Sequence, residues 1–176
     1  LSPTQQYRLL SAYADDLQRL APWGTQGSMP PEKEAVYQRI VFVVRQMVPH
    51  LVPAKIEEGT EALLETLIWE GIVAESELPA SLIQRIALIR KANRYRENPQ
   101  GMWEALDAGR AESEQDVAQI LPILLAQNHF QSFGDLLAQM RIRFQKAGGS
   151  DADFYGTVCV AALREGLLSK LWDRRR

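Results

Sequence analysis

Apolar side chains recur every three or four positions along almost the whole chain, the spacing of helices that each turn one face inward. Tyr7, Leu10, Ala14, Leu17 and then Leu20 or Ala21 form the first such stripe. Ahead of it, Ser2-Pro3-Thr4-Gln5 places a capping serine, a proline at the first helical position and a glutamine able to close a capping box. Pro22 ends the helix, and Trp23-Gly24-Thr25-Gln26-Gly27-Ser28-Met29-Pro30 reads as loop. A second helix is predicted from Pro31 to about Val48. Its centre, Ile40-Val41-Phe42-Val43-Val44, has strand propensity, but Ala35, Val36, Arg39, Ile40, Val43 and Met47 carry the helical period through it. Apolar residues fill more than one face there, which predicts a central, mostly buried helix.

Pro49 and Pro53 bracket a break before a third helix from about Ala54 to Glu70, with Ile56, Leu63, Leu64, Leu67 and Ile68 inward. Gly71 followed by Ile72 has the form of a left-handed C-terminal cap with its hydrophobic contact. Ser76-Glu77-Leu78-Pro79 opens a fourth helix that reaches about Arg96 and turns Leu82, Ile86, Ile89 and Ala92 to the core. Glu97-Asn98-Pro99-Gln100-Gly101 is the best internal boundary. A short helix from Met102 to Ala108 follows, and Ser113 caps the next, which Pro122 should kink near residues 118–122. Gln131 or Ser132 begins a helix to about Lys146, ended by Gly148-Gly149. The last runs from Asp151 to about Trp172, capped by Ser150, weakened at Gly156 and open to a break at Gly166.

No pair of strands with a hairpin signal occurs. The expected fold is all-α: an orthogonal or irregular bundle of seven or eight helices, in a single domain 1–176 with a sub-bundle boundary near 97–101. Leu67-Ile68-Trp69-Glu70-Gly71-Ile72-Val73 echoes Ala162-Leu163-Arg164-Glu165-Gly166-Leu167-Leu168, which would suit two similar helical halves, although glycine caps often produce such echoes.

Composition changes this picture little. At 176 residues, 46% apolar and 24% charged, the chain can bury a core without disulfides or metal. A net charge of −2 gives no overall attraction for nucleic acid or acidic membranes. The longest strongly apolar run, Ile40 to Val44, is far short of the roughly 20 residues that cross a bilayer. No signal-peptide pattern is visible, and the start at Leu1 is compatible with an upstream segment having been removed. Cys159, set among Val158, Val160 and Ala161, reads as a small buried hydrophobe; an unpaired thiol fits a reducing, cytoplasmic setting.

Candidate chemistry is sparse. Glu57, Glu58, Glu61 and Glu65 have the helical spacing of di-iron carboxylates, but no Glu-x-x-His accompanies them, so a solvated acidic face is expected. His50 and His129 have no ligand or base partner at useful spacing and read as structural. Cys159 lacks the surroundings of a nucleophile. A helix-turn-helix about Gly71 fails on Leu67, where a small residue is needed, and on Pro79; the version about Gly166 runs out of chain at Arg174-Arg175-Arg176. Trp69 and Trp103 are expected in the core, Trp23 and Trp172 partly exposed. No catalytic, cofactor or metal residue is specified.

One surface stands out. The fourth helix carries Arg85, Arg90, Lys91, Arg94 and Arg96 with Asn93 and Tyr95 interleaved; Lys91, Arg94 and Tyr95 share the side opposite Ile86 and Ile89. It reads either as a solvated basic face or as a partner surface made by Arg90, Lys91, Arg94 and Tyr95 with the turn at Ile72 and Val73. The function expected is a non-enzymatic helical interaction module, an adaptor, regulator or assembly factor that binds another protein or a second copy of itself. The alternative is a nucleic-acid-binding regulator using the basic helix 79–96 and the terminal arginines. The third reading is an enzyme or small-ligand carrier with a pocket between helices.

Overall fold

The computed structural model describes residues 1–23, 27–110, 113–164, 166, 167, 170 and 172. Every regular element among them is helical. Nine α-helices are described; with α6 and α7 taken as halves of one broken helix, their number is the eight that the sequence allows. The chain divides into two compact units, Leu1–Ile86 and Ala87–Arg176. The division falls inside the fourth helix, upstream of the 97–101 boundary read from the sequence.

The first unit holds α1 (Pro3–Leu20), α2 (Pro31–Met47), α3 (Thr60–Trp69) and the opening turns of α4 (Ala80–Glu97). At the start of α1 the capping box is formed: the Gln5 N–H donates to Ser2 Oγ at 3.3 Å and the Ser2 N–H to Gln5 Oε1 at 2.8 Å. The predicted stripe, Tyr7, Leu10, Ala14 and Leu17, is buried against α2 and α3. The Tyr7 hydroxyl ends inside this core, where it donates to the Val52 carbonyl at 2.8 Å.

Two helices of this unit depart from expectation. α2 is not a central helix: Val44 is its one buried residue, and Val36, Phe42 and Val43 face outward. Its main partner in packing is α1; Tyr37, Ile40, Val41 and Met47 pack half-buried on the core beside Val44, and Val36, Phe42 and Val43 are left exposed. α3 starts at Thr60 rather than Ala54, because Pro53–Lys55 closes a 3-10 turn and Gly59 then takes a left-handed φ of 89°. Glu61 in its first turn is buried, so the acidic face expected from Glu57 to Glu65 is not wholly solvated. Trp69, expected in the core, is 87% exposed. At about 100° per residue it stands on the side of α3 opposite Leu64 and Leu67.

α3 ends as predicted. Gly71 has φ 72°, and the amides of Ile72 and Val73 both donate to the Leu67 carbonyl, at 3.0 and 3.2 Å. The same closure occurs at Gly109, Asn128, Gly148 and Gly166, each with a positive φ and the following amide turned back onto the last turn. The echo between the Gly71 and Gly166 stretches is therefore that of a helix end used throughout the chain.

The second unit contains the rest of α4, then α5 (Pro99–Asp107), α6 (Glu114–Ala118), α7 (Leu121–Ala126), α8 (Phe130–Lys146) and α9 (Asp151–Arg164). α5 begins earlier than expected because Asn98 caps it, its Oδ1 accepting from the Gly101 N–H at 3.0 Å, with Pro99 in the first turn. Pro122 does more than kink its helix. Having no N–H to continue the ladder, it opens a new six-residue helix, α7, whose Leu121, Ile123, Leu124 and Leu125 are all buried. α7 packs on α8, and α8 on α9.

α9 stays continuous through Gly156 and runs to Arg164. The break that Gly166 allows is present, where the Leu167 N–H donates to the Ala162 carbonyl at 2.7 Å, and Lys170 and Trp172 beyond it are again helical. Cys159, expected to be buried, is half-buried. Trp103 lies in the core as expected, Trp23 is half-buried and Trp172 is exposed.

Candidate interaction surfaces

The six residues singled out on the fourth helix and its neighbouring turn do not form one surface. Arg90 and Arg94 are exposed and Lys91 is half-buried. Tyr95 is buried, 1% exposed. Inward positions along α4 run Leu82, Ile86, Ile89, Ala92, Tyr95. The last three are spaced by three, so the buried face turns about 60° per step relative to the axis and carries Tyr95 away from the arginine side. Its ring meets Trp103 edge-on at 6.2 Å, and the Arg143 guanidinium lies over Trp103 at 4.8 Å from the ring centre. Burial is the main cause that pushes the Tyr95 phenol up.

Ile72 and Val73 belong to the core of the first unit, 4% and 2% exposed. The left-handed turn at Gly71 redirects the chain so that both side chains pack inward. They are corrected from surface to core, as is Tyr95. The cations that remain are only partly at liberty. Arg90, Lys91 and Arg96 each interact with other groups of the chain. Lys91 adds a small lowering influence at Asp116, whose carboxyl is held below the usual range mainly by the Ser113 backbone N–H and then by the Ser113 hydroxyl.

One apolar surface that the described residues expose is on α2; Trp69 of α3 and Val160 and Leu163 of α9 are exposed elsewhere. Val36, Ile40, Val43 and Met47 follow one another at helical spacing along its edge, the first and third exposed, the others half-buried. Phe42, 65% exposed, stands beside them, with exposed Arg39 between. Neighbouring contacts fix the inner side of this helix. Arg45 Nη2 pairs with Glu77 Oε1 at 2.7 Å, and Glu77 also accepts from the Ala74 N–H, the larger of the causes that hold its carboxyl low. Tyr37 is pushed up by burial first and then by the carboxylates of Glu34 and Glu70. The signal for this surface is in the sequence, as apolar residues on more than one face of α2, and it reads equally well as deep burial. Only the number of helices packed around α2 separates the two.

Chemistry remains scarce in three dimensions. A polar cleft of about 410 Å³ lies between α1 and the start of α3, lined by Arg8, Ser11, Asp15, Glu58 and Thr60, and it is crossed by an Arg8–Glu57 pair at 3.3 Å. Among the described residues there is no cluster of three His, Cys, Asp or Glu able to hold a metal ion. No described helix is long and apolar enough to cross a membrane. The chain matches no protein-family model, no curated protein and no solved structure, so these surfaces carry the functional reading by themselves.

Proposed function

We propose that this protein is a non-enzymatic helical module that binds another protein through the outward face of α2. The reading rests on one observation. Phe42 and Val43 stand exposed beside Val36 on a helix that is covered on one side. Scattered exposed hydrophobes are ordinary on protein surfaces; a run at helical spacing with an exposed phenylalanine is what an amphipathic partner helix recognises. The partner would present apolar side chains to Val36, Val43 and Phe42 and an acidic side chain to Arg39. Adaptor, regulator and assembly factor are all roles open to such a module. A reducing, cytoplasmic setting suits the unpaired Cys159.

The test is affinity capture from the native source with wild type and with the double variant Phe42→Glu, Val43→Glu. Both side chains are exposed, so stability should change by no more than about 0.5 kcal/mol. Loss of a stoichiometric partner from the variant is the expected result. Equal capture by both proteins would remove α2 from the reading. The basic-helix alternative makes a different prediction: reversing Arg90, Lys91 and Arg94 to Glu would abolish binding, and affinity would fall steeply with salt.

A further inference from the structure

We infer that the second unit contains a binding site for a neutral, apolar small molecule on the order of eight to twelve carbons, independent of the α2 surface. A cavity of about 270 Å³ lies among α6, α7, α8 and α9. Its walls belong to the core: Leu121 and Leu125 of α7, Phe133 and Met140 of α8, and Phe154 and Val158 of α9 line it and are all buried. The space exists because α6 offers Ala118, and α9 offers Ala161 and Ala162, where the other walls carry large side chains.

The polar groups at the cavity are few and already engaged. Thr157 Oγ1 donates to the Asp153 carbonyl at 3.0 Å, and Glu114 pairs with Arg143 at 3.6 Å. Gln115 completes the polar edge. An enclosed apolar cavity of ~150 Å³ takes up benzene; this one has nearly twice that volume and is open on one side, which gives a ligand a way in. Water gains little from such walls, whereas a hydrocarbon body restores the dispersion contacts that an empty cavity forfeits. The walls also select against charge. A carboxylate-bearing ligand would lose its hydration among them, with no cation among the described lining residues to replace it, so the site favours an alcohol over the corresponding acid.

The experiment is isothermal titration calorimetry of the full chain with octan-1-ol and with octanoate. Saturable 1:1 binding of octan-1-ol, at least tenfold tighter than octanoate, is expected. Ala161→Phe fills the cavity and should weaken octan-1-ol at least tenfold; Ala118→Leu serves the same purpose from α6 if the first variant does not fold. The α2 variant Phe42→Glu should bind octan-1-ol as wild type does, which keeps this site distinct from the docking reading. Absence of saturable binding, binding unchanged by a folded cavity-filling variant, or loss of binding in Phe42→Glu would each overturn the assignment.

Discussion

Gly71 allows backbone strain to be measured apart from packing. Its φ is 72°, and a methyl group added there would meet nothing within 4 Å. Gly71→Ala therefore changes two terms only. Holding an L-residue in the left-handed region costs roughly 1–2 kcal/mol. Replacing glycine also narrows the unfolded ensemble, which returns about 0.4–1 kcal/mol. The balance is a loss of about 1 kcal/mol, whereas Gly71→Asn, which tolerates this conformation, should lose less than about half of that. For a unit of the size of Leu1–Ile86, a loss of about 1 kcal/mol lowers the thermal midpoint by roughly 4–8 °C. Circular dichroism at 222 nm during thermal and urea unfolding reads both variants, and the two units allow two transitions. An alanine variant as stable as wild type would refute the reasoning, as would an asparagine variant as damaged as the alanine one. Either result would mean that the chain after α3 does not turn through a left-handed residue.

Three further outcomes are expected. Tyr7→Phe should cost about 1 kcal/mol in urea unfolding, because it removes the part-buried hydrogen bond from the Tyr7 hydroxyl to the Val52 carbonyl. Burial raises the Tyr7 phenol above its usual value, so its contribution is whole below about pH 10 and is lost as pH rises beyond that; the phenylalanine variant should lack this alkaline decline. Asp151 is held below the usual carboxyl range first by its bond to Arg141, at 2.6 Å, and then by Gln145. That contribution is present above the ordinary carboxyl pKa of about 4 and disappears as pH falls through the native value, so Asp151→Asn should flatten the acid side of a stability–pH profile. Leu124→Ala, at a fully buried position of α7, should cost about 2–5 kcal/mol in the second unit; a cost under about 1 kcal/mol would place α7 outside the core.

Local chemistry in the sequence was a reliable guide to helix ends. Ser2, Ser113 and Ser150 act at helix starts as their context predicts, and Gly71, Gly109 and Gly148 at ends, because these signals involve atoms only a few residues apart. Asn98 is the exception: it caps α5 from within a stretch that reads only as a boundary. The single stripe of α1 also translates directly into burial. Periodicity was weaker wherever the answer depends on distant neighbours. The pattern of α2 gives the apolar content of each face but not how many helices cover it. Tyr95 follows from the basic side of α4 if the inward face is taken as straight, and from the core once that face rotates through Ala92. Trp69 is an exposed residue in an apolar helix for the same reason: its size suggests burial, and its angle from Leu67 denies it. The cavity beside Ala118 and Ala161 depends on four helices meeting, which no window of sequence contains.

The shallow seating of α2 has a consequence for dynamics. Val44 is its one fully buried side chain, and the helix is otherwise held by half-buried contacts of Tyr37, Ile40, Val41 and Met47 and by the Arg45–Glu77 pair. It should open locally at a free energy well below that of global unfolding, so its amides should take up deuterium sooner than those of α1. A partner bound across Phe42 would suppress that opening in proportion to its occupancy. The first unit would then be most completely folded when docked, and the helix that recognises the partner would be the one whose persistence the partner governs.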